Sequence, residues 1–140
     1  MDKAVVQKDR MGCGLACIAF VTGLEYEDVA AYFKKENSTI IKDIYCKDVV
    51  RLLKIFKRDY RYNYLKPRLI RKIYQKGAIV YVRKCKKYPR GHYLARANGC
   101  WMDPWINLTA DRNIEHAEAG FRKRLPGKPI YIIYPDSIQI

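Results

Sequence analysis

From Met11 to Leu24 the chain carries no charged side chain, and it enters this run through a Gly-Cys-Gly triplet, Gly12-Cys13-Gly14. A helix apolar on every side belongs in a core, and this run is short of the roughly 20 apolar residues that span a bilayer. Residues 26–35 continue at helical spacing, with Glu27 and Asp28 early and Lys34 and Lys35 late, the polarity that suits a helix dipole. A loop is expected over 36–39. A third helix is expected over 47–57, with Val49, Val50, Leu52, Leu53 and Phe56 on its inner side. Residues 61–65 alternate as a short strand, and Pro67 opens a further helix to about residue 75, where Gly77 ends it.

The period then changes. Residues 78–82, AIVYV, form a compact strand-like run, and a basic loop covers 83–90. Residues 92–97 alternate, Asn98-Gly99 is a hairpin turn, and Cys100-Trp101-Met102 resumes a strand that Pro104 stops. Residues 105–124 give little pattern beyond a short helix expected over 114–123, and 129–135, PIYIIYP, reads as the last strand. Helices first and an antiparallel sheet afterwards make an α+β class, with N-terminal helices packed on a C-terminal sheet.

Composition narrows this to one domain over residues 1–140, since 140 residues at 49% hydrophobic are enough for one core. No internal repeat, low-complexity tract or spanning segment is visible. Nor does the start read as a secretory signal, because Ala4-Val5-Val6 is far too short for its apolar region. Five irregularly spaced cysteines, Cys13, Cys17, Cys46, Cys85 and Cys100, argue against a disulfide framework and for a reduced, cytoplasmic setting. The net charge of +14 is concentrated: residues 51–90 hold 15 Lys/Arg against one acid, Asp59, while the first 50 residues hold 7 bases and 8 acids. Such a field attracts acidic partners, whether polypeptide, nucleic acid or anionic lipid.

Candidate chemistry centres on Cys13. A thiol at a helix entrance meets unpaired N–H donors and partial positive charge, which favour a thiolate. A cysteine nucleophile also needs a base, a group that orients the base, and donors for the oxyanion. Of the two histidines, His116 sits in a polar run with Glu115 and Glu118, whereas His92 opens a strand. The turn at Asn98-Gly99 brings Asp103, at the end of the opposing strand, towards His92. A metal site is not expected. No C-x2-C pair is present, and Cys17, Cys46 and Cys100 read as small apolar residues.

The order Gln7, Cys13, His92, Asp103 along a helix-then-sheet chain resembles the papain-like cysteine peptidases, above all the family that removes double-glycine leaders from bacteriocin precursors. That family shows a glutamine six residues before a Cys-Gly pair, matched by Gln7 and Cys13-Gly14. An apolar helix follows, matched by Ala16-Cys17-Ile18-Ala19, then a strand starting His-Tyr, matched by His92-Tyr93. A later Asp-Pro is matched by Asp103-Pro104. The resemblance covers roughly residues 5–135. It implies a papain-like fold, Cys13 as nucleophile, His92 as general base and acid, and Asp103 orienting His92. Gln7 would donate to the oxyanion together with the Cys13 backbone N–H. It also implies hydrolysis of a peptide bond through an acyl-enzyme, with no cofactor. The chain departs from the family at Gly12, where an acidic residue is usual, and in its basic middle section.

Two other functions follow from the same residues. The basic section, with Tyr60, Tyr62, Tyr64, Tyr74, Tyr81 and Tyr88 interleaved, suits a toxin-like nuclease in which Lys/Arg neutralise phosphates and tyrosines stack on bases. A domain that binds a polypeptide without cleaving it is the third. The expected partner is a polypeptide, acidic if the basic section selects it, with nucleic acid as the alternative; an inhibitor or immunity-type partner is left open.

Overall fold

The uncharged run folds as helix α1, Cys13–Thr22, and eight of its ten residues are buried. In the computed structural model, which describes residues 3–36, 41, 43–108 and 112–136, this helix is the centre of the first core. It ends where the Gly23 N–H donates to the Ala19 carbonyl. Helix α2, Tyr26–Glu36, turns Tyr26, Val29, Ala30 and Phe33 inward. Its acids lie in the first turn and its lysines in the last, as the charge pattern predicts. Helix α3, Cys46–Ile55, starts where the Asp48 carboxylate accepts the Tyr45 N–H at 2.9 Å, and it buries Val49, Leu52 and Leu53. The loop expected over 36–39 lies, apart from Glu36, outside the described residues; Glu36 itself is the last residue of α2.

Six strands follow: β1 Tyr60–Tyr64, β2 Ile79–Val82, β3 His92–Arg96, β4 Trp101–Asp103, β5 Gly120–Arg122 and β6 Pro129–Pro135. They form one antiparallel sheet in the order β1-β6-β2-β3-β4-β5. Helices packed on a mainly C-terminal antiparallel sheet give the α+β class. Alternation along the strands splits the interior in two. Ile79, Tyr93, Ala95, Met102 and Ile133 face the three helices. Val80, Leu94, Trp101 and Ile132 face a second core closed by Ile73, Tyr88, Trp105 and Leu108.

Two expectations need correction. The helix after Pro67 is a 3-10 segment, Pro67–Tyr74, with Leu69 N–H on the Lys66 carbonyl and Gln75 N–H on that of Lys72. Only Leu69 and Ile73 are buried, too narrow an apolar stripe to hold a regular α-helix on the sheet. The helix expected over 114–123 is instead a 3-10 turn, Ile114–His116, followed by β5. The Asn113 side chain accepts the Glu115 N–H at 2.9 Å to close that turn. Pairing of Phe121 with Met102 and Arg122 with Trp101 then draws the segment into the sheet. Among the described residues no helix is long and apolar enough to cross a membrane.

Candidate active site

Cys13 is the first residue of α1 and is half-buried. Gly12 caps the helix without a side chain, which leaves the first-turn N–H groups uncapped at this point. Space also demands glycine there. A Cβ at Gly12 would lie 2.0 Å from the Tyr26 hydroxyl, which donates to Asp9 Oδ2 at 2.7 Å. Across the helix–sheet contact, the Tyr93 N–H donates to Cys13 Sγ at 3.4 Å. Tyr93 is in turn fixed by its hydroxyl, which donates to the Ile44 carbonyl at 2.8 Å.

His92, the first residue of β3, is buried. Its Nε2 lies 2.7 Å from Asp103 Oδ1. The hairpin explains the approach: Ala95 pairs with Met102, so the register continues to set Asp103 opposite Leu94, one diagonal step from His92 on the same face. Gly91, with φ of +79°, delivers the strand into this position; a Cβ there would stand 2.1 Å from the Tyr81 hydroxyl, which donates to the Arg90 carbonyl at 2.9 Å. Three further residues complete the surroundings. The Trp105 N–H donates to Asp103 Oδ1 at 3.0 Å, and Arg122 Nη1 reaches Oδ2 at 2.9 Å. The Tyr88 ring stacks on the imidazole at 4.4 Å, only 2° from parallel.

These contacts set the charges. Burial works against a proton on His92, but hydrogen bonds to Asp103 and Cys13 and their charges overcome it and raise the imidazole from 6.5 to about 9. With Nε2 committed to Asp103, Nδ1 is the ring nitrogen left for Cys13. Burial likewise works against ionised Asp103, yet His92, the Trp105 N–H and Arg122 hold the carboxyl below its ordinary 3.8. His92 therefore carries its proton at neutral pH between the Asp103 carboxylate and the Cys13 sulfur. Burial pushes the Tyr88 hydroxyl up to about 12, so the stacked ring is neutral.

Gln7 reaches the same cavity but not with a free amide donor. Its Nε2 donates to the carbonyls of Asp9 at 3.0 Å and Arg10 at 3.1 Å, while the buried Oε1 has no hydrogen-bond partner among the described residues. The amide thus ties the loop that leads into α1. Cys17 and Cys46 are buried core residues, and burial pushes the thiol of Cys46 up to about 11. Cys85 is exposed and Cys100 half-buried. His116 is exposed on the 3-10 turn and is not among the residues that line the groove at Cys13. Among the described residues no group of three or more His, Cys, Asp or Glu side chains gathers as metal ligands do.

Cys13, Gln7 and His92 open onto a groove of about 1030 Å³ that Trp105, Tyr88 and Tyr93 also line. Arg122 and Trp105 escaped the sequence reading, which placed Tyr88 only among the tyrosines of the basic section and not beside His92. Trp105 sits two residues past Asp103, and its position in an Asp-Pro-Trp run is the one local signal; Arg122 arrives from β5, where the sequence shows no pattern that singles it out, and nothing local marks Tyr88 as the tyrosine that stacks on His92. No protein-family model and no curated protein matches this sequence, so the functional reading rests on the geometry of Cys13, His92 and Asp103.

Proposed function

We propose that the chain is a cysteine hydrolase of papain-like type that cleaves a peptide bond. One observation carries the reading: a buried imidazole held between a carboxylate at 2.7 Å and a thiol at the uncapped entrance of a helix, opening onto a large groove. Cys13 Sγ, as thiolate, attacks the substrate carbonyl carbon. The first-turn N–H groups of α1 face the oxygen that becomes negative, as an oxyanion site requires. Collapse of the adduct breaks the C–N bond, and His92 gives its proton to the departing amine, leaving a thioester on Cys13. Water then attacks the thioester while the neutral imidazole takes its proton. The C–S bond breaks, the acid leaves, and the thiolate–imidazolium pair returns. Asp103 keeps Nε2 protonated and Nδ1 turned to sulfur throughout, and Arg122 and the Trp105 N–H keep Asp103 ionised.

Alkylation with iodoacetamide tests the dyad. Cys13 is expected to react about tenfold faster or more than the exposed Cys85, and His92→Ala should remove that lead. Equal rates at the two sites, unchanged by His92→Ala, would overturn the proposal. Incubating wild type and Cys13→Ala with a cell lysate, followed by analysis of protein N-termini and RNA integrity, separates peptide cleavage from nuclease activity.

A further inference from the structure

A row of four tyrosines leads away from Cys13. Strand register pairs Tyr93 with Tyr81, Tyr81 with Tyr131, and Tyr131 with Tyr64, so the row crosses β3, β2, β6 and β1. Successive ring centroids are 5.0, 6.1 and 5.6 Å apart. At the usual strand spacing the row runs roughly 14 Å, the reach of about four residues of extended peptide. Tyr93, Tyr81 and Tyr131 line the groove, Tyr64 continuing the row past its lining, and six basic side chains line it with them: Arg10, Lys47, Arg83, Lys84, Arg90 and Arg112. Asp43 is the single acid among its lining residues, and Arg90 neutralises it at 2.8 Å. The other five bases have no carboxylate partner among the described residues.

The chemistry of the floor distinguishes two kinds of acidic ligand. Stacking of nucleic-acid bases needs open ring faces. Here the interplanar angles along the row are 57°, 54° and 87°, so the rings are tilted or edge-on to one another rather than laid open in parallel, and Tyr93 is buried. The hydroxyls of Tyr81 and Tyr93 are engaged with backbone carbonyls. What remains is an amphipathic floor with cationic walls, suited to an extended backbone whose side chains alternate between floor and wall.

We propose that this groove selects an acidic polypeptide, with Asp or Glu residues within about four positions of the bond presented to Cys13. The inference rests on the peptide-hydrolase reading and names its substrate class. Arg83 and Lys84 hold one wall, and the tyrosine row seats the apolar side chains between the acids.

Binding to the Cys13→Ala protein provides the test, because it needs no turnover. The probes are a short fluorescein-labelled peptide alternating Glu with Leu and Ala, its Gln counterpart, and a single-stranded RNA of similar length. The acidic peptide should bind about tenfold more tightly than the Gln peptide, with the advantage shrinking as salt is raised. Arg83→Glu with Lys84→Glu should remove that advantage, while Arg68→Glu with Lys76→Glu, the same change in net charge outside the groove, should keep it. Both pairs are exposed, and thermal melting reports whether either disturbs the fold; if the reversal does, Arg83→Gln with Lys84→Gln replaces it. Equal affinity for the two peptides, tighter binding of the RNA, or equal losses in both charge-reversal pairs would overturn the proposal. An unreactive Cys13 would sink the hydrolase reading and leave this binding result standing.

Discussion

His92 keeps a proton to about pH 9 because Asp103 and Cys13 flank it inside a buried site. In the proposed mechanism the proton is needed at the leaving amine, so hydrolysis should fall as pH rises through about 9. Asp103→Asn removes the carboxylate and lowers the proton affinity of the imidazole. The alkaline limb of the rate profile should then move to lower pH by at least about one pH unit. Gln7 poses a different question, because both hydrogens of its amide are engaged by the Asp9 and Arg10 carbonyls. A loop tie predicts that Gln7→Ala lowers stability by on the order of 1–3 kcal/mol through two carbonyls left without a donor, seen as a lower Tm. A pure oxyanion donor predicts an unchanged Tm and a loss in kcat of about 10²–10³. The arrangement favours the first outcome. Cys13, His92 and Asp103 were legible in the sequence because each sits at an element boundary that a local signal marks. The roles of Arg122 and Tyr88 were not, since only the folded sheet brings them to the dyad.

At the scale of elements, legibility follows how much local pattern an element needs. Helix α1 is written in an uncharged run, β6 in PIYIIYP, and the β3–β4 hairpin in Asn98-Gly99. β5 has three residues, and a partner strand rather than its own alternation creates it. Its value lies in Arg122, which joins β5 to the Asp103 of β4. Arg122→Ala should cost on the order of 1–3 kcal/mol, less than loss of a fully buried partner because Arg122 is partly exposed, and denaturant unfolding would measure it. In α1, Ile18 is fully buried among the helices and sheet. Ile18→Ala should cost about 2–5 kcal/mol. A smaller loss there than at Arg122 would mean that the first core is looser than its burial indicates.

Across the whole molecule the charges of the candidate site also act as a staple, since His92, Asp103 and Arg122 belong to β3, β4 and β5 in turn. The concentration of bases between Arg51 and Arg90 was visible in the sequence, but the groove draws on Arg10, Lys47 and Arg112 as well, which only the folded chain assembles. The staple makes stability depend on pH with a definite sign. His92 is raised from 6.5 to about 9, so its contribution is complete below about 6.5 and is lost as pH rises through about 9. Asp103 lies below its ordinary 3.8, so its contribution is complete above that value and is lost as pH falls towards the folded one. The Tm difference between wild type and His92→Gln should therefore be largest between about 4 and 6.5 and decline towards pH 9. Repeating the comparison in a Cys13→Ala background separates the two flanking groups. Without the sulfur, Asp103 alone holds the proton, and the alkaline decline should begin at lower pH. An unchanged decline would mean that Cys13 and His92 are not paired in the resting protein, and the thiolate–imidazolium mechanism would lose its starting state.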